Sequence, residues 1–598
     1  MIVRRHSWVP LGTALLLFTV WHCFFSPDQP YTPGSGTLPT SYAGVPVTVN
    51  DEGYFWKTLP THYPVRHLKP LPTGQPLPLP PVQAEFGPES KEDAATRQKR
   101  RAAVKAAFLR CWTSYKTRAF MRDELSPISG RSRDPFGGWG ATLVDSLDTL
   151  WIMSLHEEFE VAATAATKIN FESTTLSEVS AFETTIRYLG GFLSAYDLSG
   201  DRRLLRKARE VGDMLYKTFD TPNRMPISRW DFHKAAQGTK QVAPDRALIA
   251  EVGSLCVEFT RLSLATGDPR WFDATERIRE VLEAQQDTTK LPGMWPIMVN
   301  PRDEVFDSDA TFGLGTTADS TYEYLPKMYA LLGGLIPAYQ TMYEKSMATA
   351  IKLNLFRPMV PEVPDILIAR TVRAAKSGGK VVLNFENSGE HLVCYAGSML
   401  ALGGKLCGNP EHLETARKLV DGCIWTYKAM PLGIMPETFD IAPCAPGTEC
   451  EWDEAAWKRA VLERAGESDV TDTARADAII KERGLPKGFT RISDGRYLLR
   501  PEAIESVFVL YRTTGRRDLP ESAWAMFKAI QANTRTPLAN AALVDVNVKR
   551  NPQQIDVMES FWMGETLKYF YLIFSEPDHI SLDDWVFNTE AHPFRRLK

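Results

Sequence analysis

Cysteine is sparse in this sequence, eight residues in 598, and histidine is little commoner at ten. No Cys or His cluster has zinc-site spacing, so a structural zinc module is not expected. Charge of one sign is lacking too. A net charge of −4 gives no reason to expect a nucleic-acid partner. The triplet Asn-x-Ser/Thr is absent throughout, so the chain offers no glycosylation acceptor of its own. The N-terminal uncharged run at 7–25 is followed by Ser26-Pro27-Asp28. With no small-x-small site there, a cleaved signal peptide is disfavoured.

What is present starts with that run. Its 19 residues would span roughly 28 Å as a helix, enough for a thin bilayer. Arg4 and Arg5 precede it, and would keep the N-terminus cytosolic and the rest lumenal. Residues 1–25 are therefore expected to be a cytosolic tip and signal-anchor helix. Residues 26–90 hold 14 prolines and are expected to form an extended lumenal stalk that buries no core. The folded part is expected over 91–598. Hydrophobic residues at 44% and aromatics at 11% can support a large core there.

From about residue 105 the chain is helix after helix, joined by turns of one form. LSGD at 198–201, ATGDP at 265–269, CGNP at 407–410 and TTGRRD at 513–518 show it. Gly after one helix and Asp or Asn-Pro before the next are stop and start signals. Gly200, Gly267 and Gly334 lie 67 residues apart, and Gly408 follows 74 later. Gly515 comes 107 later, an irregular insertion at about 440–497 absorbing the excess. With less regular turns near His156 and at Pro577, the spacing predicts seven αα-hairpins, either an open solenoid or a closed ring.

Glu183, Glu251, Asp319, His391, Glu502 and Glu565 stand 12–17 residues before their respective turns, roughly 18–26 Å along a helix. If those helices line a ring, the six groups converge on one mouth of it. Helix dipoles favour acids at such positions, but not so readily one in six successive hairpins. The segment VFNTEAHPF at 586–594 reads by composition as a frayed tail. Given a ring, it reads as a plug that points Thr589 into the carboxylates.

Plainer readings stand beside these. Glu183 and Arg187 fit an i,i+4 surface pair, although Gly190 and Gly191 on the same face suit a cavity wall as well. Asp319, Ser320 and Glu323 fit a helix start with a capping box. Glu502 follows Pro501 at a first helical position, where the dipole keeps it ionised and suits it to a base. Cys394 and Cys423 lie 14 residues before and 15 after Gly408, opposite each other on antiparallel helices and within disulfide reach. Cys444 and Cys450 are placed to close a small loop. Both pairings fit an oxidising lumen.

In order along the chain, DPFGGWGATLVDSLDTLWIM, FETTIRYLGGFLSAYDLSGD, ADSTYEYLPKM, HLVCYAGSMLALGG, LLRPEAIES, ESFWMGETLKYFYLIFS and VFNTEAHP resemble the class I α-1,2-mannosidases, glycoside hydrolase family 47. The resemblance runs from about residue 105 to the end. It implies an all-α fold, an (α/α)7 barrel plugged by a C-terminal β-hairpin. It implies calcium-dependent, inverting removal of terminal α-1,2-linked mannose from high-mannose N-glycans. By the same resemblance Glu183 and Asp319 match candidate acids, Glu502 the base, and Thr589 the residue binding Ca²⁺ through hydroxyl and carbonyl. Arg187, Glu251, His391, Glu505 and Glu565 match pocket residues, and Cys394 and Cys423 the family disulfide. Thr317 is a departure: linkage-selective members commonly carry arginine there, which leaves the preferred mannose branch open. The expected location is the endoplasmic reticulum or Golgi membrane, single-pass type II. The competing reading is a relative that recognises mannose on misfolded glycoproteins and directs them to degradation.

Overall fold

The glycine-marked turns end their helices in the left-handed conformation: Gly200, Gly267, Gly408 and Gly515 have φ of 74°, 76°, 63° and 71°. The helices after them start on side-chain caps where the sequence supplies one. The Asp201 carboxylate accepts from the Arg203 amide at 2.9 Å, and Asn409 from the amides of Glu411 and His412 at 3.0 and 3.2 Å. These local signals set the hairpin spacing. The computed structural model describes residues 55–362, 365–378, 380–444 and 450–598. The expected membrane helix lies outside the described residues. Among those described, no helix is long and apolar enough to cross a membrane.

Seven inner helices form a closed ring: Leu147–Ile152, Gly190–Ser199, Cys256–Thr266, Asp319–Leu331, Tyr395–Leu406, Glu502–Thr514 and Leu567–Ile573. Each packs on the next, and the turn Trp562–Thr566 packs back on the first. Asp319–Leu331 shows why they are inner, since all but its first residue are buried. The outer helices bury one stripe, as Arg202–Tyr216 does with Leu204, Ala208, Val211 and Leu215. The first six inner helices are followed by their outer partners, His156–Ala166, Arg202–Tyr216, Arg270–Gln285, Pro337–Leu353, Pro410–Ala429 and Leu519–Thr534. The seventh differs from the hairpin expected at Pro577. Its outer partner is Lys91–Arg118, from the other end of the domain.

After Pro577 the chain turns into the ring. Strands Trp585–Phe587 and Pro593–Arg595 pair antiparallel, with Val586 opposite Phe594. Phe587 packs on Phe508 and Tyr569 of two inner helices. The 588–592 loop between the strands is pinned from all sides. Asn588 Oδ1 accepts from the amides of Glu590 and His592, and its Nδ2 donates to the Ile186 carbonyl and Glu258. Lys568 Nζ donates to the Ala591 carbonyl at 2.6 Å and to Asp148, which also bonds His592 Nδ1 at 2.8 Å. A Cβ at Gly190 would meet Asn588 Nδ2 at 2.8 Å, so glycine there lets the loop approach. The terminal segment is a plug, not a frayed tail.

Two expectations about the periphery are corrected. Residues 55–90 do not stand off as a stalk; they lie on the ring as a strap. Trp56 is fully buried against Trp230 and Phe232, its Nε1 donating to the Phe171 carbonyl. Val82 is fully buried as well. Prolines carry no N–H, so a proline-rich strand can cover a surface with few donors to satisfy. Three aspartates take several of the remaining donors: Asp220 from His62 and Tyr63, Asp273 from Lys69, and Asp583 from Val82 and Gln83. At the turn after Asp319–Leu331, a Cβ on Gly333 would come within 2.5 Å of Pro76. The insertion at 440–497 is not irregular either. Strands Thr438–Ile441 and Phe489–Asp494 pair at its base. Helices Glu454–Ala465 and Thr473–Arg483, capped by Asp453 and Asp472, close a satellite core of Trp457, Val461, Leu462, Ala476 and Ile479.

Candidate active site

The helix starts named from the sequence come together at one mouth of the ring. A cleft of about 170 Å³, open to solvent, is lined by Glu183, Arg187, Asp319, Glu502, Glu505, Glu565 and Thr589. Glu251 and His391 are not among its lining residues. Glu251 pairs with Arg229 at 2.6 Å, and His391 is fully buried between Glu502 and Tyr427. Glu323, Arg500, Phe561, Phe182, Tyr395 and Glu590 also line the cleft. Sequence reasoning gave none of these six a pocket role. Glu590 directly follows Thr589 in the plug, and that adjacency was the available signal. Two of the inner segments reach the mouth through π-turns, Thr184–Leu189 and Trp562–Thr566, which carry Arg187 and Glu565.

Glu183 and Arg187 do touch, Nε to Oε2 at 3.0 Å, but not as a surface pair. The Arg187 guanidinium is buried, donates to Ser560 Oγ at 3.0 Å, pairs with Glu590, and lies 4.4 Å over the Phe136 ring. Burial works against its charge, and the surrounding carboxylates of Glu590 and Glu183 more than restore it. The capping box at Asp319 is absent. Ala318 precedes the helix without a side-chain cap, and Asp319 Oδ1 instead accepts from the Ser320 amide and hydroxyl.

The carboxyl groups have been driven apart in basicity. Burial, with Glu323 and Glu502 nearby, pushes Asp319 up to about 7, so it keeps a proton near neutrality. Glu502 is also buried, but the hydrogen bond from His391 Nδ1 at 3.1 Å and the Arg500 charge outweigh burial and hold it low. Arg500 is itself anchored to Glu437 at 2.5 Å. Glu505 and Glu565 are raised by burial and by neighbouring carboxylates, and Glu590 by burial and by Asp145 and Glu183.

Seven carboxyl groups and two guanidinium groups line this cleft. Thr589 sits among them at the tip of the plug. Its amide donates to the Tyr324 hydroxyl oxygen at 3.3 Å, while its own hydroxyl and carbonyl have no partner among the described residues. That is a hard oxygen site in a field of excess negative charge, and it fits a calcium ion. Among the described residues no three Asp, Glu, His or Cys side chains form a protein cage. The rest of such an ion's shell would therefore come from water and ligand.

One carboxyl that holds its proton and one carboxylate that stays ionised, on different helices across a cleft, make up the equipment of a glycoside hydrolase. Residues 107–596 match the family model of glycosyl hydrolase family 47, and the chain belongs to that family. It is 33% identical over 514 residues to a mannosyl-oligosaccharide 1,2-alpha-mannosidase of Arabidopsis thaliana, covering 85% of this chain and 80% of that one. It is 34% identical over 525 residues to the endoplasmic reticulum mannosyl-oligosaccharide 1,2-alpha-mannosidase of Homo sapiens, covering 86% of this chain and 66% of that one. The alpha-1,2-mannosidase from Trichoderma reesei superposes with a TM-score of 0.71 at 29% identity, over 84% of this chain and 99% of that one.

The second feature carried by the sequence, the disulfide between Cys394 and Cys423, is present with Cα atoms 6.1 Å apart, and it ties an inner helix start to its outer partner. Cys444 and Cys450 are also bonded. Thr317, two residues before Asp319, holds a left-handed φ of 81°.

Proposed function

We propose that this protein removes terminal α-1,2-linked mannose from high-mannose N-glycans by a single displacement that inverts the anomeric centre. The opposed proton preferences of Asp319 and Glu502 carry this reading. Asp319, protonated up to about pH 7, gives its proton to the departing glycosidic oxygen. Glu502, kept ionised by His391 and Arg500, draws a proton from the water that attacks the opposite face. Glu183, tied to Arg187, stands on the cleft wall where a water can pass a proton to the same oxygen. Arg187, Glu505 and Glu565 orient sugar hydroxyls. Glu251 and His391 position their neighbours.

Thr589 would hold the calcium through hydroxyl and carbonyl, with Glu505, Glu565 and Glu590 accepting from its waters. When bound, the ion fixes sugar hydroxyls and offsets the carboxylate excess. The two disulfides agree with a lumenal setting in the endoplasmic reticulum or Golgi. The run at 7–25 would serve as the membrane anchor.

The test is incubation of the purified chain with a high-mannose glycan, with and without chelator, following the first product by proton NMR. β-Mannose should appear first, and only without chelator. α-Mannose first would mean retention and would remove Glu502 from the role of base. Glycan bound but never cleaved would favour the recognition reading instead.

A further inference from the structure

We infer that the protein has a second carbohydrate-binding cleft beside the catalytic mouth, one wall of which is the 440–497 insertion; the inference rests on the substrate class proposed above. The cleft, about 540 Å³ and open to solvent, lies between the β-hairpin Thr371–Ser377/Lys380–Glu386 and helix Glu454–Ala465. Its lining includes Phe385, Asn387, Asp440, Glu463 and Arg464.

The fixed charges decide what fits. Asp440 is buried and accepts from Arg464 Nε at 2.7 Å, from Ser493 Oγ at 3.3 Å and from Ser388 Oγ. That grip holds the Arg464 fork in place, while its two terminal nitrogens have no partner among the described residues. Asn387 is fixed through Oδ1 by Arg370 at 3.0 Å, leaving its amide nitrogen to donate. The Glu463 carboxylate is exposed and likewise has no described partner. Glu386 is taken by Arg373. The cleft thus has no cationic excess to attract phosphate or nucleic acid, and among the described residues it has no cage for a metal. Preset donors and acceptors of both kinds, with the single Glu463 carboxylate as the only charge not matched among the described residues, suit a neutral polyol. Phe385, 43% exposed and backed by the Arg370 guanidinium at 4.0 Å, supplies the apolar platform on which a sugar ring stacks.

The position fits a branched ligand. Strand Ser388–Glu390 pairs with Thr438–Ile441, Ser388 opposite Asp440. At one end this pair leads to His391, which holds Glu502, and to Glu437, which holds Arg500. At the other it opens on the cleft. The three-residue step from Glu437 to Asp440 separates the two places by about 10 Å. One arm of an oligosaccharide can enter the catalytic pocket while another lies in the cleft, and a disaccharide cannot reach both.

The experiment compares α-1,2-mannobiose with an intact nine-mannose branched glycan, on the full chain and on the surface variant Phe385→Ala/Glu463→Lys. The variant should keep the kinetics on mannobiose and raise KM for the branched glycan about 5- to 10-fold, kcat holding. A KM on the branched glycan within twofold of the parent overturns the inference. So does an equal loss on both substrates, which places the effect in the pocket or the fold. If the parent cleaves neither substrate, the catalytic reading has failed separately. Calorimetric binding of the branched glycan then decides: weaker binding by the variant supports the cleft, while equal or absent binding overturns it. Reduced binding of a deglycosylated, unfolded protein with unchanged glycan kinetics would assign the cleft to polypeptide and also overturn it.

Discussion

Asp319 and Glu502 begin two inner helices and meet the same dipole, yet their surroundings send them opposite ways. As the proposed base Glu502 acts ionised, so kcat/KM should rise through a pKa below the usual carboxylate range. As the proposed donor Asp319 acts protonated, so kcat/KM should fall as pH climbs through about 7. A profile that stays flat from pH 6 to 9 would exclude Asp319 as the donor. Glu502→Gln should keep the fold and glycan binding and lose on the order of 10²–10⁴ in rate. Thr589→Ala removes the free hydroxyl but not the carbonyl, so calcium titrations should show weaker affinity with the fold intact. The acids at helix starts were legible in the sequence because each is a local feature at a repeated distance from a turn. Glu323 and Arg500 were not, because what gives them a place in the site is which helix they face, and no local pattern encodes that. Phe385 and Arg464 were hidden for the same reason.

The strap and the cross-link make opposite points about elements. Cys394 and Cys423 bracket a marked turn at nearly equal distances, and the pairing followed from counting. Closing that loop of 29 residues should contribute about 3–4 kcal/mol. Cys394→Ala/Cys423→Ala should therefore lower the thermal midpoint clearly, by calorimetry, with the ring still formed. The strap was misread because a proline-rich composition shows only that a segment cannot build its own core. It does not reveal a surface made elsewhere that receives it. Since Trp56 is wholly buried, Trp56→Ala should cost about 3–5 kcal/mol. A chain starting at residue 52 should melt well above one starting at 91. Equal midpoints would show that the strap adds nothing to the folded unit. The insertion was misread differently. Its two capped helices carry ordinary start and stop signals, but they interrupt the 67-residue rhythm that drew attention to the rest.

At the scale of the whole molecule the ring needs all of its parts. Chelation should abolish activity and lower the thermal midpoint, because a ligand bound only by the folded state stabilises it. An unchanged midpoint in excess chelator would count against Thr589 as the ion's seat. The pairing of Leu567–Ile573 with Lys91–Arg118 has a consequence for how the protein is made. The ribosome delivers Lys91–Arg118 first among the ring's helices and its partner last, more than four hundred residues later. At about 5–20 residues per second, the early helix keeps an unmet apolar face for tens of seconds while six hairpins assemble beside it. Until the late helix and the plug emerge, the nascent chain is an open arc with an uncovered seam, the kind of surface a chaperone holds. Synthesis halted just before residue 560 would leave that seam permanently exposed, so such a product should be retained and degraded, not secreted as a shorter enzyme.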